Sequence, residues 1–329
     1  MDAKITKKRL NEMLSYDWVK ILLSIAGAIL VWSLIFTMTA TKITPSQQFT
    51  VLNYRGNVQL STTRFNDLYQ KAYADGVYSY EVIETNVRDV TEMVEGTESQ
   101  LLQATLGTDE GDLIFLPATP DPRSAQTEND VTTYEMTYLE SFLYSEYRYI
   151  ADLSLTNENG YFKTMEAFLN GFYTEGFEKA ESLDEAAVHR YFRARVKANK
   201  DKRFKTETQI AAGEKLEVER VKKYREALVK TYAYLADGVI ALTPVDMEYD
   251  GVTHTKYMLN LCPDETKMGK LIDYVAYETT FVDGEGKEST KKAVQDMHVA
   301  LFKVPGIEAS FEFESLSFVV YLIDTCLAA

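Results

Sequence analysis

The chain has 329 residues, 46% of them hydrophobic and 26% charged, a balance that excludes a wholly disordered protein. Net charge is −15; the first 20 residues hold five basic side chains against three acids, so the remainder carries −17. A body that acidic repels phosphate backbones, which argues against nucleic acid as a partner.

Residues 1–16 read as a short basic tail. Within 17–41, the stretch Ile21–Thr41 (ILLSIAGAILVWSLIFTMTAT) is free of charge. A helix of that length spans about 30 Å, the hydrocarbon thickness of a bilayer. It is too long for the apolar core of a cleaved signal peptide, and no small-x-small site follows it. Lys4, Lys7, Lys8, Arg9 and Lys20 precede the segment and Lys42 alone follows closely, so the positive-inside rule predicts a cytoplasmic amino terminus and an extracytoplasmic body. The expected location is the cell membrane, with a single pass through the lipid bilayer. Residues 42–48 (KITPSQQ) are a polar spacer short enough to keep the body near the membrane.

An alternation of elements follows. Phe49–Tyr54 is a predicted strand, Thr63–Tyr73 a helix, Val77–Asn86 a strand, Thr97–Leu106 a helix and Asp112–Leu116 a continuously apolar strand stopped by Pro117. That order predicts βαβαβ with a parallel sheet. Residues 117–132, rich in Pro, Ser, Thr and acids, read as a long loop or a crossing between lobes. Helices are expected over Tyr134–Tyr149, Met165–Phe177, Leu183–Ala198 and Glu214–Ala236, the last with Glu219–Lys223 and Glu226–Lys230 pairs on its outer side. The run Lys197–Lys205 (KANKDKRFK) reads as a solvated surface segment, with a local anion contact as the lesser alternative. Val239–Thr243 is a predicted strand. Val245–Tyr249 and Val252–Leu261 flank Asp250-Gly251, a two-residue hairpin signal. Lys267–Tyr277 is expected to be helical, Asp283-Gly284 and Gly286 to turn, Met297–Val304 to form a strand and Glu314–Leu327 a closing helix.

Motifs for chemistry are weak. Asp246, Glu248, Asp250 and Gly251 mimic the start of a calcium loop, but the twelfth position is Tyr257, not an acid, so the hairpin is the better reading. Gly284-Glu-Gly286-Lys287 lacks both the earlier glycine and the following Ser or Thr of a phosphate loop. His189, His254 and His298 have no metal-ligand spacing. Cys262 and Cys326 form no C-x-x-C pair; an extracytoplasmic disulfide and two buried thiols are both open. No enzyme, cofactor or metal is expected.

The segments FTVLNYRG, SYEVIETNV and ESQLLQATLGTDEGDLIFLP together resemble the amino-terminal lobe of extracellular solute-binding proteins of ABC importers, of the sugar type. The ending, MHVALFKV followed by ESLSFVVYLI, is similar to that family's late strand and its F-x-x-Y-L helix. The resemblance implies an α/β, periplasmic-binding-protein-like, two-lobed body. Residues 49–125 would form a βαβ first lobe and 126–329 a helix-rich second lobe, with the last strand and helix in the second lobe or returning to the first lobe or hinge. It also implies capture of a small solute, such as a carbohydrate, between lobes for ABC permease subunits, with hinges in 117–132 and near Val239. Tyr54, Arg55, Asn86 and Pro117 are the candidate ligand contacts, because each falls at or just past the carboxyl end of an expected first-lobe strand. Both tryptophans, Trp18 and Trp32, lie in the anchor region, so the body has none to stack on a sugar. That favours the other expectation, a structural or accessory subunit of a membrane complex that keeps the fold without the solute.

Overall fold

A computed structural model describes residues 7–39, 43, 47–53, 63–90, 99–108, 110–128, 131–249, 251–267, 269–282, 287–303 and 313–327. Residues 1–44 and 45–329 are separate compact units. The first holds helix α1 (Lys7–Thr39), within which Trp18–Phe36 has a mean hydropathy of 2.3 and no buried residue. Its length and composition suit a membrane crossing, and its apolar side chains face every direction, as lipid requires.

The second unit is built on a six-stranded mixed sheet. Its strands are β1 (Gln48–Asn53), β2 (Glu84–Asp89), β3 (Leu113–Pro117), β6 (Ala241–Tyr249), β7 (Val252–Asn260) and β10 (Met297–Leu301), in the order β2-β1-β3-β10-β7-β6. β1 runs parallel to β2 and β3; β10 is antiparallel to both β3 and β7. Side chains of a strand alternate between faces, so a strand covered on both sides must be apolar throughout. β3 fits this: Leu113 and Phe115 enter one core, Ile114 and Leu116 the other. β6 lies at the opposite edge of the sheet. There Val245 and Met247 are buried while Pro244, Asp246 and Glu248 are exposed, and an edge tolerates the proline that a central strand would not. Two further hairpins stand outside the main sheet, β4 (Ala125–Glu128) with β5 (Val131–Tyr134) and β8 (Tyr277–Val282) with β9 (Glu288–Ala293).

Helices cover both faces. Against one pack α2 (Thr63–Ala74), α5 (Tyr161–Asn170), α7 (Glu207–Ala236) and α8 (Glu314–Leu327); against the other pack α3 (Ser99–Gly107) and α4 (Tyr138–Glu146). Phe49, Phe65 and Phe115 from residues 49–125 share one apolar cluster with Met165, Tyr224 and Phe318 from residues 126–329. Phe318 touches the rings of Phe49, Phe65 and Tyr69 at 5.5–6.3 Å. The physical reason lies in the strands: β3 is apolar on both sides, β1 turns Phe49 and Val51 to the same face as Leu113 and Phe115, and the later helices cover that face.

Other expectations shift locally. The Val77–Asn86 strand becomes a turn over 77–83 followed by β2, with Val82 N–H donating to the Ser79 carbonyl oxygen at 3.3 Å. The expected Lys267–Tyr277 helix is a single 3-10 turn, Leu271–Asp273, before β8 begins. The helix expected over Met165–Phe177 starts at Tyr161 and closes at Gly171. Residues 117–132 are not a featureless crossing: a 3-10 turn capped by Asp121 leads into β4. The Asp250-Gly251 hairpin joins β6 to β7 with Gly251 at φ +73°, where glycine carries no steric penalty; Asp250 lies outside the described residues. The turn expected at 283–286 also lies outside them.

α6 (Glu185–Asn199) and α7 approach closely at Gly213. A Cβ there would lie 2.3 Å from Phe192 Cζ and 2.7 Å from Phe204 Cε1, and Phe192 is fully buried. Alanine is the better helix former by about 1 kcal/mol, yet overpacking outweighs that. Gly213→Ala is expected to lower stability by about 1–3 kcal/mol in a denaturant titration; an unchanged midpoint would show that the two rings yield freely.

Candidate functional site

Parallel pairing sets Gln48 opposite Glu84, Thr50 opposite Asn86 and Leu52 opposite Arg88. Gln48, Thr50, Asn86, Val87, Arg88, Asp89 and Glu110 line a groove of about 340 Å³. Its floor is rigid. Asp112 and Thr50 exchange two hydrogen bonds, Thr50 N–H to Asp112 Oδ2 at 2.6 Å and Asp112 N–H to Thr50 O at 2.9 Å. The acid that opens the apolar strand thus ties β3 to β1. The Tyr69 hydroxyl reaches the carbonyl oxygens of Phe49 and Asn86, each at 2.6 Å, and bridges β1 to β2. Burial raises the Tyr69 pKa, so this donor stays protonated. Arg88 Nη1 meets Glu110 Oε2 at 3.0 Å, with both side chains partly exposed. Two amides, a hydroxyl, a guanidinium and two carboxylates are hydrogen-bonding chemistry suited to a small hydroxylated or zwitterionic molecule.

Of the four residues chosen from sequence, Tyr54 and Arg55 lie outside the described residues. Asn86 lies in the groove, in mid-strand because β2 runs on to Asp89. Pro117 ends β3, pairs with Met297 and does not line the groove. Gln48, Thr50, Arg88, Asp89 and Glu110 were missed. A usable signal existed for two of them: Gln48 and Thr50 are polar at alternate positions of an otherwise apolar strand, which marks one face for something other than core.

A second polar assembly is buried between the 76–81 turn, α6 and α7. Glu217 accepts from Arg220 Nε at 3.1 Å, from Arg195 Nη2 at 3.0 Å and from the Tyr80 hydroxyl at 2.7 Å. Glu81 meets Arg195 Nη1 at 2.7 Å and Arg203 Nη2 at 2.6 Å. Glu217 and Arg220 have no exposed surface. Burial alone would raise the Glu81 carboxyl, but Arg195, Arg220 and Arg203 outweigh it and hold its pKa below the usual range. On the far side of the same turn, Glu314 of α8 accepts from Ser79 N–H at 3.1 Å and from the Tyr224 hydroxyl at 2.6 Å. Each arginine is matched to a carboxylate, so the assembly acts as a clamp that fastens the turn before β2 to three helices.

A smaller cavity of about 200 Å³ lies between α7 and α8, lined by Lys223, Glu226, Lys230, Tyr321 and Asp324 among others. Lys230 meets Asp324 at 3.0 Å and Glu226 at 3.2 Å, the latter an expected helix pair. Lys223 turns from Glu219 to the carbonyl oxygens of Gly76 and Tyr78, and Glu219 pairs with Lys222 at 3.0 Å. Cys262 and Cys326 are free, buried thiols whose pKa values burial pushes up to about 11 and about 12. They are protonated at neutral pH and correspondingly unreactive. Among the described residues no group of His, Cys, Asp and Glu could hold a metal ion.

The fold and groove define a mixed α/β body following one apolar helix. Comparison with protein-family models, curated proteins and solved structures finds no match to this chain.

Proposed function

We propose that this is a single-pass membrane protein, amino terminus inside, whose extracytoplasmic α/β body serves as a non-catalytic structural or accessory subunit of a membrane complex. The observation that carries this reading is the shared core. Residues on both sides of the expected lobe boundary pack into one cluster among the described residues, an arrangement that favours a body moving as one piece over hinge closure around a solute. The apolar segment Trp18–Phe36 supports the anchoring. The test is cross-linking of the full chain in its native membrane, compared with a version whose α1 is replaced by an unrelated span. A membrane partner recovered at fixed stoichiometry is expected. A chain that stays alone under both conditions would sink the accessory role.

A second reading is capture of a small solute for an ABC-type importer, as the resemblance of the first three strands implies. The groove containing Asn86 favours it. The full chain in nanodiscs, screened by thermal shift against sugars, amino acids and peptides, distinguishes the two. A ligand at about 100 times its Kd stabilises by about 2.7 kcal/mol, a rise of roughly 5–10 °C. The accessory reading expects a flat response. A rise removed by Arg88→Ala would establish the solute reading in its place.

A further inference from the structure

Residues 190–205 hold eight basic side chains against one acid, within a body of charge −17. The structure sorts them. Arg193 is taken by Glu207 at 3.1 Å and Glu214 at 2.6 Å; Arg190 lies 3.6 Å from Asp184; Arg195 and Arg203 enter the buried clamp. Asp201, the one acid, turns inward onto Arg203 at 2.7 Å. Phe204 packs edge-on against Phe192 at 5.0 Å and Tyr80 at 6.1 Å. What remains is Lys197, Lys200, Lys202 and Lys205, all exposed and without an ion-pair partner among the described residues. The half-buried Asp201, Arg203 and Phe204 are set between exposed Lys200, Lys202 and Lys205, so the segment that the clamp fixes carries lysines on its solvent side. Lys200 even occupies the left-handed cap of α6 at φ +50°, a place glycine fills by default.

We infer that Lys197, Lys200, Lys202 and Lys205 form a docking patch for a lipid surface bearing anionic headgroups. Four exposed ammonium groups within nine residues suit a plane of negative charge. The acidic face of a second copy would also be complementary, but the apolar helix carried by this same chain favours lipid. A tethered body meets the bilayer at high effective concentration, so weak and purely electrostatic contacts suffice. The inference rests on the reading of α1 as a membrane anchor.

The test uses the full chain in nanodiscs of phosphatidylcholine alone or with about 30% phosphatidylglycerol, carrying an environment-sensitive fluorophore on Ala198→Cys. The native thiols are buried and escape labelling. A phosphatidylglycerol-dependent blue shift is expected, reversed between about 0.05 and about 0.5 M salt. Each lysine changed to glutamine should lower the docked population about fivefold, and lysine-to-arginine variants should keep it. A shift that is equal in both lipids, or that survives all four glutamines, overturns the inference. A shift that appears only with two chains per disc, whatever the lipid, assigns the patch to a second copy and overturns it too. A chain that washes out of the disc in carbonate overturns the anchor reading and this inference together, and that loss is seen before any fluorescence is read.

Discussion

Glu217→Gln is expected to destabilise the body by about 3–5 kcal/mol, the cost of removing one partner from a buried ion assembly. Glu217 is fully buried and is hydrogen-bonded to both Arg195 and Arg220. The amide keeps the shape and one acceptor but removes the charge. Arg195 and Arg220 are then left in a low-dielectric site without the carboxylate they share, while Glu81 is already divided between Arg195 and Arg203. Total stability of a domain is about 5–15 kcal/mol, so this is a large share. A loss of roughly 10 °C in Tm follows from about 2–4 °C per kcal/mol. Arg220→Met in the Glu217→Gln background should restore much of it, since a buried ion pair exchanged for apolar groups of similar volume is often neutral. Calorimetry of the full chain checks both. If Glu217→Gln melts within about 2 °C of the parent, water reaches the site and the clamp is not what fixes the turn over 77–83.

That clamp marks the limit of what the sequence could convey. Elements set by local pattern were legible. α8 falls on Glu314–Leu327 as its apolar spacing implies, the long α7 ends at Ala236, and Gly251 sits where β6 meets β7. Elements set by distant partners were not. Val77–Asn86 is rich in strand formers, yet Ser79 is held by Glu314, 235 residues on, and Glu81 by Arg203, 122 residues on. Those contacts bend the segment into a turn and delay β2 until Glu84. The same delay moved Asn86 from the end of a strand to its middle, and so to the wall of a groove on the sheet. The later part of the chain is a related case. Its helices read correctly as amphipathic, but amphipathicity does not say which apolar surface a helix covers, and here it is the sheet of the first part.

Glu146→Gln is expected to stabilise the protein at pH 8 and to do nothing at pH 4. Glu146 closes α4 with about 1% of its surface exposed, and neither carboxylate oxygen has a hydrogen-bond partner among the described residues. Burial pushes its pKa up to about 7, and the nearby Gln103 amide, which donates to the Ser145 carbonyl oxygen at 3.4 Å, offsets this only in part. A carboxyl raised from 4.5 to about 7 costs nothing below pH 4.5, where folded and unfolded states are both protonated. As pH rises toward 7 the unfolded chain releases the proton first, and stability falls by about 3 kcal/mol before levelling. Two other groups titrate differently. Lys256, lowered to about 8 by burial, gains stability only above that pH. His298, lowered by burial, loses stability as pH falls from the ordinary histidine value toward its lower folded pKa and then levels, the opposite sense to Glu146. The difference between variant and parent isolates the carboxyl. It should be near zero at pH 4 and reach about 3 kcal/mol, or about 5–10 °C in Tm, by pH 8. A difference that is flat across this range would mean that Glu146 is ionised and paired in the folded protein.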